Sequence, residues 1–178
     1  MGERIEVVIT ELEQTARPDL PPAPLPRGVK TAILKVERPA VHFYRYLYDT
    51  VGRPYHWVSR RKLTNGQLAE IIHAPTNHLY TLIVDGAPGG LAELGVEGDG
   101  DFLLSFFGLT PERIGRGLGR YFLTNAIDLA WDLGARRLRV ETCTLDHPAA
   151  LPLYQKLGFS VVGQRKGLVD TSIERAEG

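Results

Sequence analysis

Three glycines in alternate positions, Gly115, Gly117 and Gly119, stand between an apolar run at residues 102–109 and a long helical pattern at residues 118–133. Few folds tolerate such a junction, because a strand must end, the backbone must turn sharply, and a helix must begin within about ten residues. The segment reads Leu-Thr-Pro-Glu-Arg-Ile-Gly-Arg-Gly-Leu-Gly-Arg over residues 109–120. Without β-carbons the turn can approach a ligand closely and aim consecutive amides at it, and the helix start adds partial positive charge. The combination is an anion cradle suited to a pyrophosphate. Arg113, Arg116 and Arg120 add full charges. It is not a P-loop, since Gly119 is followed by Arg120 and Tyr121 rather than Lys and Ser or Thr. It is not the dinucleotide fingerprint either, because its third glycine comes one residue early.

The helix after the turn carries a stripe of Leu118, Phe122, Ala126, Leu129 and Leu133, spaced for one face, and Gly134 stops it. Upstream, residues 4–12 alternate with Ile5, Val7 and Ile9 on one side. Pro21, Pro22, Pro24 and Pro26 then give residues 18–26 an extended, donor-poor character. A strand is expected at 31–36 and a helix at 41–51, opened by Pro39 and stopped by Gly52. A second helix is capped by Thr64 and carries Leu68, Ile71 and Ile72. Residues 79–84 and 90–96 flank Asp85-Gly86, a hairpin turn. Strands at 137–144 and from 159, around a helix at 148–157 bent at Pro152, complete the order.

A chain of 178 residues is one domain in length, enough to remove roughly 70% of its unfolded surface from water. With 21 basic and 21 acidic residues it has no net field to gather nucleic acid or an anionic membrane. No apolar run approaches a membrane span or a secretory signal, and Glu6 spoils a myristoylation signal at Gly2. The single Cys143 and the scattered His42, His56, His73, His78 and His147 supply no metal-binding spacing. A reducing, cytoplasmic setting is expected. The apolar residues Ile5–Ile9 serve equally as a homodimer contact or as an extra strand.

A second segment, His147-Pro-Ala-Ala-Leu-Pro-Leu-Tyr154-Gln-Lys-Leu-Gly158-Phe159, follows the glycine turn at a fixed remove. Together the two segments resemble the GNAT acetyltransferases. Ile114-Gly-Arg-Gly117-Leu-Gly119 is similar to the family's Arg/Gln-x-x-Gly-x-Gly/Ala pyrophosphate motif, with Ile114 in place of Arg or Gln. Residues 147–159 are similar to its Asn-x-x-Ala-x-x-x-Tyr-x-x-x-Gly-Phe helix, with His147 in place of Asn. The resemblance implies an α+β fold: a single domain over 27–178 with a mixed, mostly antiparallel twisted sheet flanked by helices, preceded over 1–26 by an N-terminal arm, itself a candidate strand at 4–12, and a proline-rich loop.

It also implies transfer of an acetyl group from acetyl-CoA to a primary amine of a small molecule or peptide. The cofactor would be held by Phe107, Gly108, Leu109, Ile114, Gly115, Arg116, Gly117, Leu118, Gly119, Arg120, His147 and Tyr154. The Tyr154 hydroxyl would face the departing sulfur. An alkyl ammonium costs about 4.6 kcal/mol to deprotonate at neutral pH, so a base is expected. The position where relatives carry a carboxylate holds Ser105, which leaves Glu93 as the candidate base, with Asp101 and Glu141 behind it. Each of these carboxylates also reads as a solvated strand-edge group. Tyr44, Tyr46, Tyr48, Tyr55 and Trp57 cluster where an acceptor pocket would lie, with Asp49 to attract a cation, and such a cluster also suits a core. Cys143 reads as a small apolar strand residue rather than an acyl-carrying nucleophile. Two other functions share the glycine turn: a catalytically silent acyl-CoA-binding regulatory module, and a nucleotide-binding protein.

Overall fold

The computed structural model describes residues 3–172. The chain runs β1 (Arg4–Gln14), β2 (Thr31–Lys35), α1 (Val41–Gly52), α2 (Asn65–Ile72), β3 (Asn77–Val84), β4 (Ala87–Gly98), β5 (Asp101–Leu109), α3 (Leu118–Asp132), β6 (Arg137–Cys143), α4 (Ala150–Lys156) and β7 (Ser160–Asp170). Seven strands form one sheet in the order β2-β3-β4-β5-β6-β1-β7. Every pairing is antiparallel except β5 with β6, which the α3 crossover joins in parallel. The expected mixed, mostly antiparallel sheet is present.

The local signals act as their chemistry requires. The Thr64 hydroxyl accepts from the Gln67 amide while the Gln67 side chain accepts from Thr64 N–H, a reciprocal cap that starts α2. Asp85 and Gly86 both take positive φ, 51° and 87°, the geometry of a tight hairpin between β3 and β4. Pro152 falls in the first turn of α4, where its missing N–H deprives the helix of no bond; the kink expected there has no cause.

Helices cover both faces. On one, α3 buries Leu118, Phe122, Leu123, Ala126, Ile127 and Ala130 against Leu82, Leu104, Leu138 and their neighbours. The buried stripe is broader than the sequence spacing suggests and shifts toward 123, 127 and 130, so that Leu133 ends 40% exposed. On the other face, Tyr44, Leu47, Tyr48 and Val51 of α1 and Leu68 and Ile72 of α2 close over Leu79 and Leu91.

The strand pattern of residues 4–12 is present as β1, which lies between β6 and β7 in the sheet. β1 pairs with β7 from Arg4 to Glu13 along one edge and with β6 from Ile9 to Gln14 along the other. Of its apolar residues, Val7 is buried and Ile9 is half-buried. No helix among the described residues is long and apolar enough to cross a membrane.

Candidate active site

The site begins where two strands part. β5 and β6 pair only from Asp101↔Arg137 to Leu104↔Val140. Beyond Leu104, β5 stays with β4 as far as Gly90↔Leu109, while β6 follows β1 as far as Ile9↔Cys143. The pairing of β4 and β5 skips from Glu93↔Phe106 to Leu94↔Leu104, so Ser105 is an extra residue bulged out of the ladder. A bulge increases local twist and turns its strand aside. Here it coincides with the parting, and the edge of residues 105–109 faces open space instead of a neighbour.

A cavity of about 680 Å³ fills the gap. That is within the range of pockets that enclose small ligands. One wall is β5 from Leu104 to Leu109 and the other is β6 from Val140 to Cys143. Ile114, Gly115, Gly117, Gly119 and Arg120 close one end, while His147, Leu153 and Tyr154 close a side. Gly117 is the N-cap of α3 at φ 77° and Gly115 has φ 82°, the left-handed region where a β-carbon is strained. The fit to a coenzyme A diphosphate is therefore good in backbone terms: a bare turn at a helix start, opening on a cavity whose lining includes Arg120. Thr110 and Arg113 set the turn from outside. Arg113 donates to the Val84 carbonyl at 3.4 Å and stands 3.7 Å from the Asp85 carboxylate, so it is tied to the β3–β4 hairpin.

Tyr154 is almost wholly buried, with its ring edge-on to Phe159 at 5.7 Å and its side chain on the cavity wall. Burial, reinforced by the charge of Asp146, pushes its hydroxyl well above the usual phenol range, which keeps it protonated. Cys143 lines the cavity too, and burial raises its thiol, the reverse of what an activated nucleophile needs. Asp146 accepts from the Thr142 hydroxyl at 2.7 Å and the Cys143 amide at 2.9 Å, which fixes the loop leading to His147. The Ala149 N–H donates to His147 Nδ1 at 3.1 Å, and the His147 ring meets Tyr55 at 6.3 Å, edge to face.

The expected cofactor residues converge, with two exceptions. Leu118 turns its side chain into the core beneath α3, and Arg116 is exposed on the turn outside the cavity lining. Phe107, Gly108, Leu109, Ile114, Gly115, Gly117, Gly119, Arg120, His147 and Tyr154 all line the cavity.

Glu93 is corrected more deeply. It has no exposed surface and does not line the cavity. Its carboxylate accepts from Tyr44 Oη at 2.7 Å and from Arg60 Nη2 at 3.3 Å, so both oxygens are engaged in the interior. Tyr44 and Tyr48 are likewise core, because α1 packs flat on the sheet there, and Asp49 is held by Arg61 at 2.9 Å. Of the six acceptor-site candidates Tyr55 and Trp57 line the cavity, joined by Phe106. Trp57 and Phe106 pack with tilted rings 5.1 Å apart, and the Arg60 guanidinium lies 5.3 Å from the Phe106 ring centre. Phe106 was within reach of sequence reasoning, as the residue beside Phe107 on the opening strand. Arg60 lies in a loop and carries no sequence signal.

This architecture and this cleft are those of the GNAT fold, and the family model "Acetyltransferase (GNAT) family" matches residues 42–159. The chain belongs to that family. It is 31% identical over 97 residues to a Bacillus subtilis protein assigned as a ribosomal protein bS18 alanine N-acetyltransferase, over 54% of this chain and 63% of that one. The structure is similar to a GCN5-related N-acetyltransferase from Sphaerobacter thermophilus, with TM-score 0.67, 15% identity, and coverage of 95% of this chain and 53% of that one. It is also similar to the aminoglycoside N-acetyltransferase AAC(6')-Iy in complex with CoA, with TM-score 0.54, 18% identity, and coverage of 86% and 96%. The chain thus spans less than two thirds of the length of the first two relatives.

Proposed function

We propose that the chain is an acetyl-CoA-dependent N-acetyltransferase that passes the acetyl group to a primary amine of a small molecule or peptide, by direct attack with both substrates bound. The observation that carries this reading is the parting of β5 and β6 beyond Leu104 and Val140, which opens one continuous cavity from the glycine turn to Tyr154. Family membership supports the same chemistry.

The amides of residues 115–120 and the Arg120 side chain hold the diphosphate. The unpaired edge of Phe107, Gly108 and Leu109 directs the pantetheine arm inward and offers an amide to the thioester oxygen. The bound thioester supplies an acyl carbon activated toward amines. Tyr154, held neutral by burial, donates to the departing sulfur. The amine enters between Tyr55, Trp57 and Phe106, rings that favour an alkyl ammonium. Glu141 and Asp146 are the cavity-wall carboxylates. Asp146 is committed to Thr142 and the Cys143 amide, and Glu141, paired with Arg165 at 2.9 Å yet still half-exposed, takes up the proton directly or through water.

The test is release of free thiol from acetyl-CoA across a panel of amines, amino acids and peptides, alongside thermal shifts with coenzyme A and ATP. Turnover with at least one amine, and a larger upshift with coenzyme A than with ATP, is expected. An upshift with coenzyme A but no thiol release from any acceptor would overturn transfer in favour of a binding module.

A further inference from the structure

The proline-rich segment between β1 and β2 is more than a connection. It leaves the end of β1 beside the C-terminal half of α3, where Arg17 forks onto Asp132 at 2.7 Å and Asp128 at 3.1 Å. Next, Pro18 packs on Gly158, the left-handed residue just after α4. A β-carbon at Gly158 would stand 2.9 Å from Cβ of Pro18. Leu20 then packs against the core. The segment ends at the opposite end of α3, where a β-carbon on Gly117 would stand 3.8 Å from Cγ of Pro26. Beyond it, Val29 returns to the core. Lys30 exchanges two bonds with Asp85: its N–H donates to Oδ1 at 2.9 Å, and its carbonyl accepts from the Asp85 N–H at 2.7 Å.

The lengths agree. α3 has 15 residues, about 22 Å at the helical rise. The segment turns at its start, where Leu20 N–H donates to the Pro18 carbonyl at 3.1 Å, and residues 20–26 in an extended proline geometry span about 19 Å. The segment is therefore a strap laid along α3, beside the turn after the Tyr154 helix at one end and the N-cap of α3 at the other. Its far anchor, Asp85, also faces Arg113 at 3.7 Å, so the strap, the β3–β4 hairpin and the base of the glycine turn meet at one carboxylate.

We propose that this strap, through Pro18, Pro26 and the Asp85 tie, is a positioning element that holds the glycine turn of residues 114–119 in its diphosphate-binding shape, at a fixed distance from Tyr154. The inference rests on the acetyl-CoA reading for its ligand. Its physical basis is conformational entropy. A turn with three glycines samples many shapes, of which few converge their amides, and apparent affinity falls with the competent fraction. Prolines restrict the strap before it folds, so holding the turn costs little further order.

The experiment compares the wild type with the Pro24→Gly/Pro26→Gly double variant. Coenzyme A affinity is read by calorimetry, and amide hydrogen exchange of residues 115–120 is read without ligand. If the competent fraction falls to about a fifth, Kd for coenzyme A rises about fivefold, and exchange in the turn accelerates. Acetyl-pantetheine, which lacks the diphosphate, is expected to keep its KM as a donor. Ile72→Val, a mild core truncation far from the turn, controls for general destabilisation and should leave Kd unchanged. Pro26→Ala, which removes the ring beside Gly117 and leaves the other strap prolines in place, should raise Kd about twofold, and it decides the matter if the double variant does not fold. Wild-type Kd and wild-type exchange in the folded variants would overturn the strap's role. A wild-type protein that ignores coenzyme A altogether would instead overturn the acetyl-CoA reading, while the exchange measurement would still report on the strap.

Discussion

The Tyr44 hydroxyl donates to the Glu93 carboxylate across 2.7 Å, at a point in the interior where Glu93 has no surface exposed. The Arg60 guanidinium completes the cluster, with its Nε buried and without a hydrogen-bond partner. A buried charge pair contributes little in net terms, because desolvation offsets attraction, but removing one member strands the other. Glu93→Ala is therefore expected to destabilise the fold by about 3 kcal/mol, a fall of roughly 9 °C in the thermal midpoint. Glu93→Gln, which keeps an acceptor for Tyr44, should cost less. In the folded variant the acid limb of the kcat/KM profile should persist. Its disappearance would restore Glu93 as the base.

Tyr154→Phe removes the proposed proton donor and keeps the ring. A fall in kcat of about a hundredfold is expected, with coenzyme A affinity within about twofold of wild type. An unchanged kcat would reduce Tyr154 to a packing residue.

Stability should also respond to pH at the alkaline end. Burial raises the phenols of Tyr44 and Tyr154 above their unfolded value near 10. Below that value folded and unfolded states hold the same phenol protons. As pH rises past about 10 the unfolded state releases them first, so stability is lost toward high pH. Thermal midpoints from pH 8 to 11 should fall less steeply in Tyr154→Phe than in the wild type. Parallel curves would contradict the buried, raised phenol.

Gly117→Ala places a β-carbon at φ 77° on the N-cap of α3. A stability loss of about 1–2 kcal/mol is expected, with coenzyme A affinity reduced at least tenfold because the turn must shift. Unaltered affinity, measured by calorimetry, would mean the turn does not cradle the diphosphate.

Cys143→Ala is expected to retain turnover, since a thiol raised by burial is a poor nucleophile. Rapid mixing should show no burst of acyl-enzyme in the wild type. Loss of turnover in the variant with intact coenzyme A binding would make Cys143 the acyl carrier.

Local chemistry is what the sequence by itself determined. Thr64 with Gln67, Asp85-Gly86 and the glycines of residues 115–119 act through backbone geometry within a few residues of themselves, so they carry the same meaning in any fold. The order of strands and helices followed, and with it the glycine turn and the Tyr154 helix. Tertiary structure alone decided which side chains meet. Whether Glu93 faces a cavity or a core depends on where α1 settles across the sheet, and Arg60 reaches it from a loop 33 residues away in sequence. The place of β1 between β6 and β7, the parting of β5 from β6 and the course of the strap over α3 are likewise set by long-range pairing and packing. No pattern of neighbouring residues encodes them, because each depends on partners the chain brings together only once it has folded.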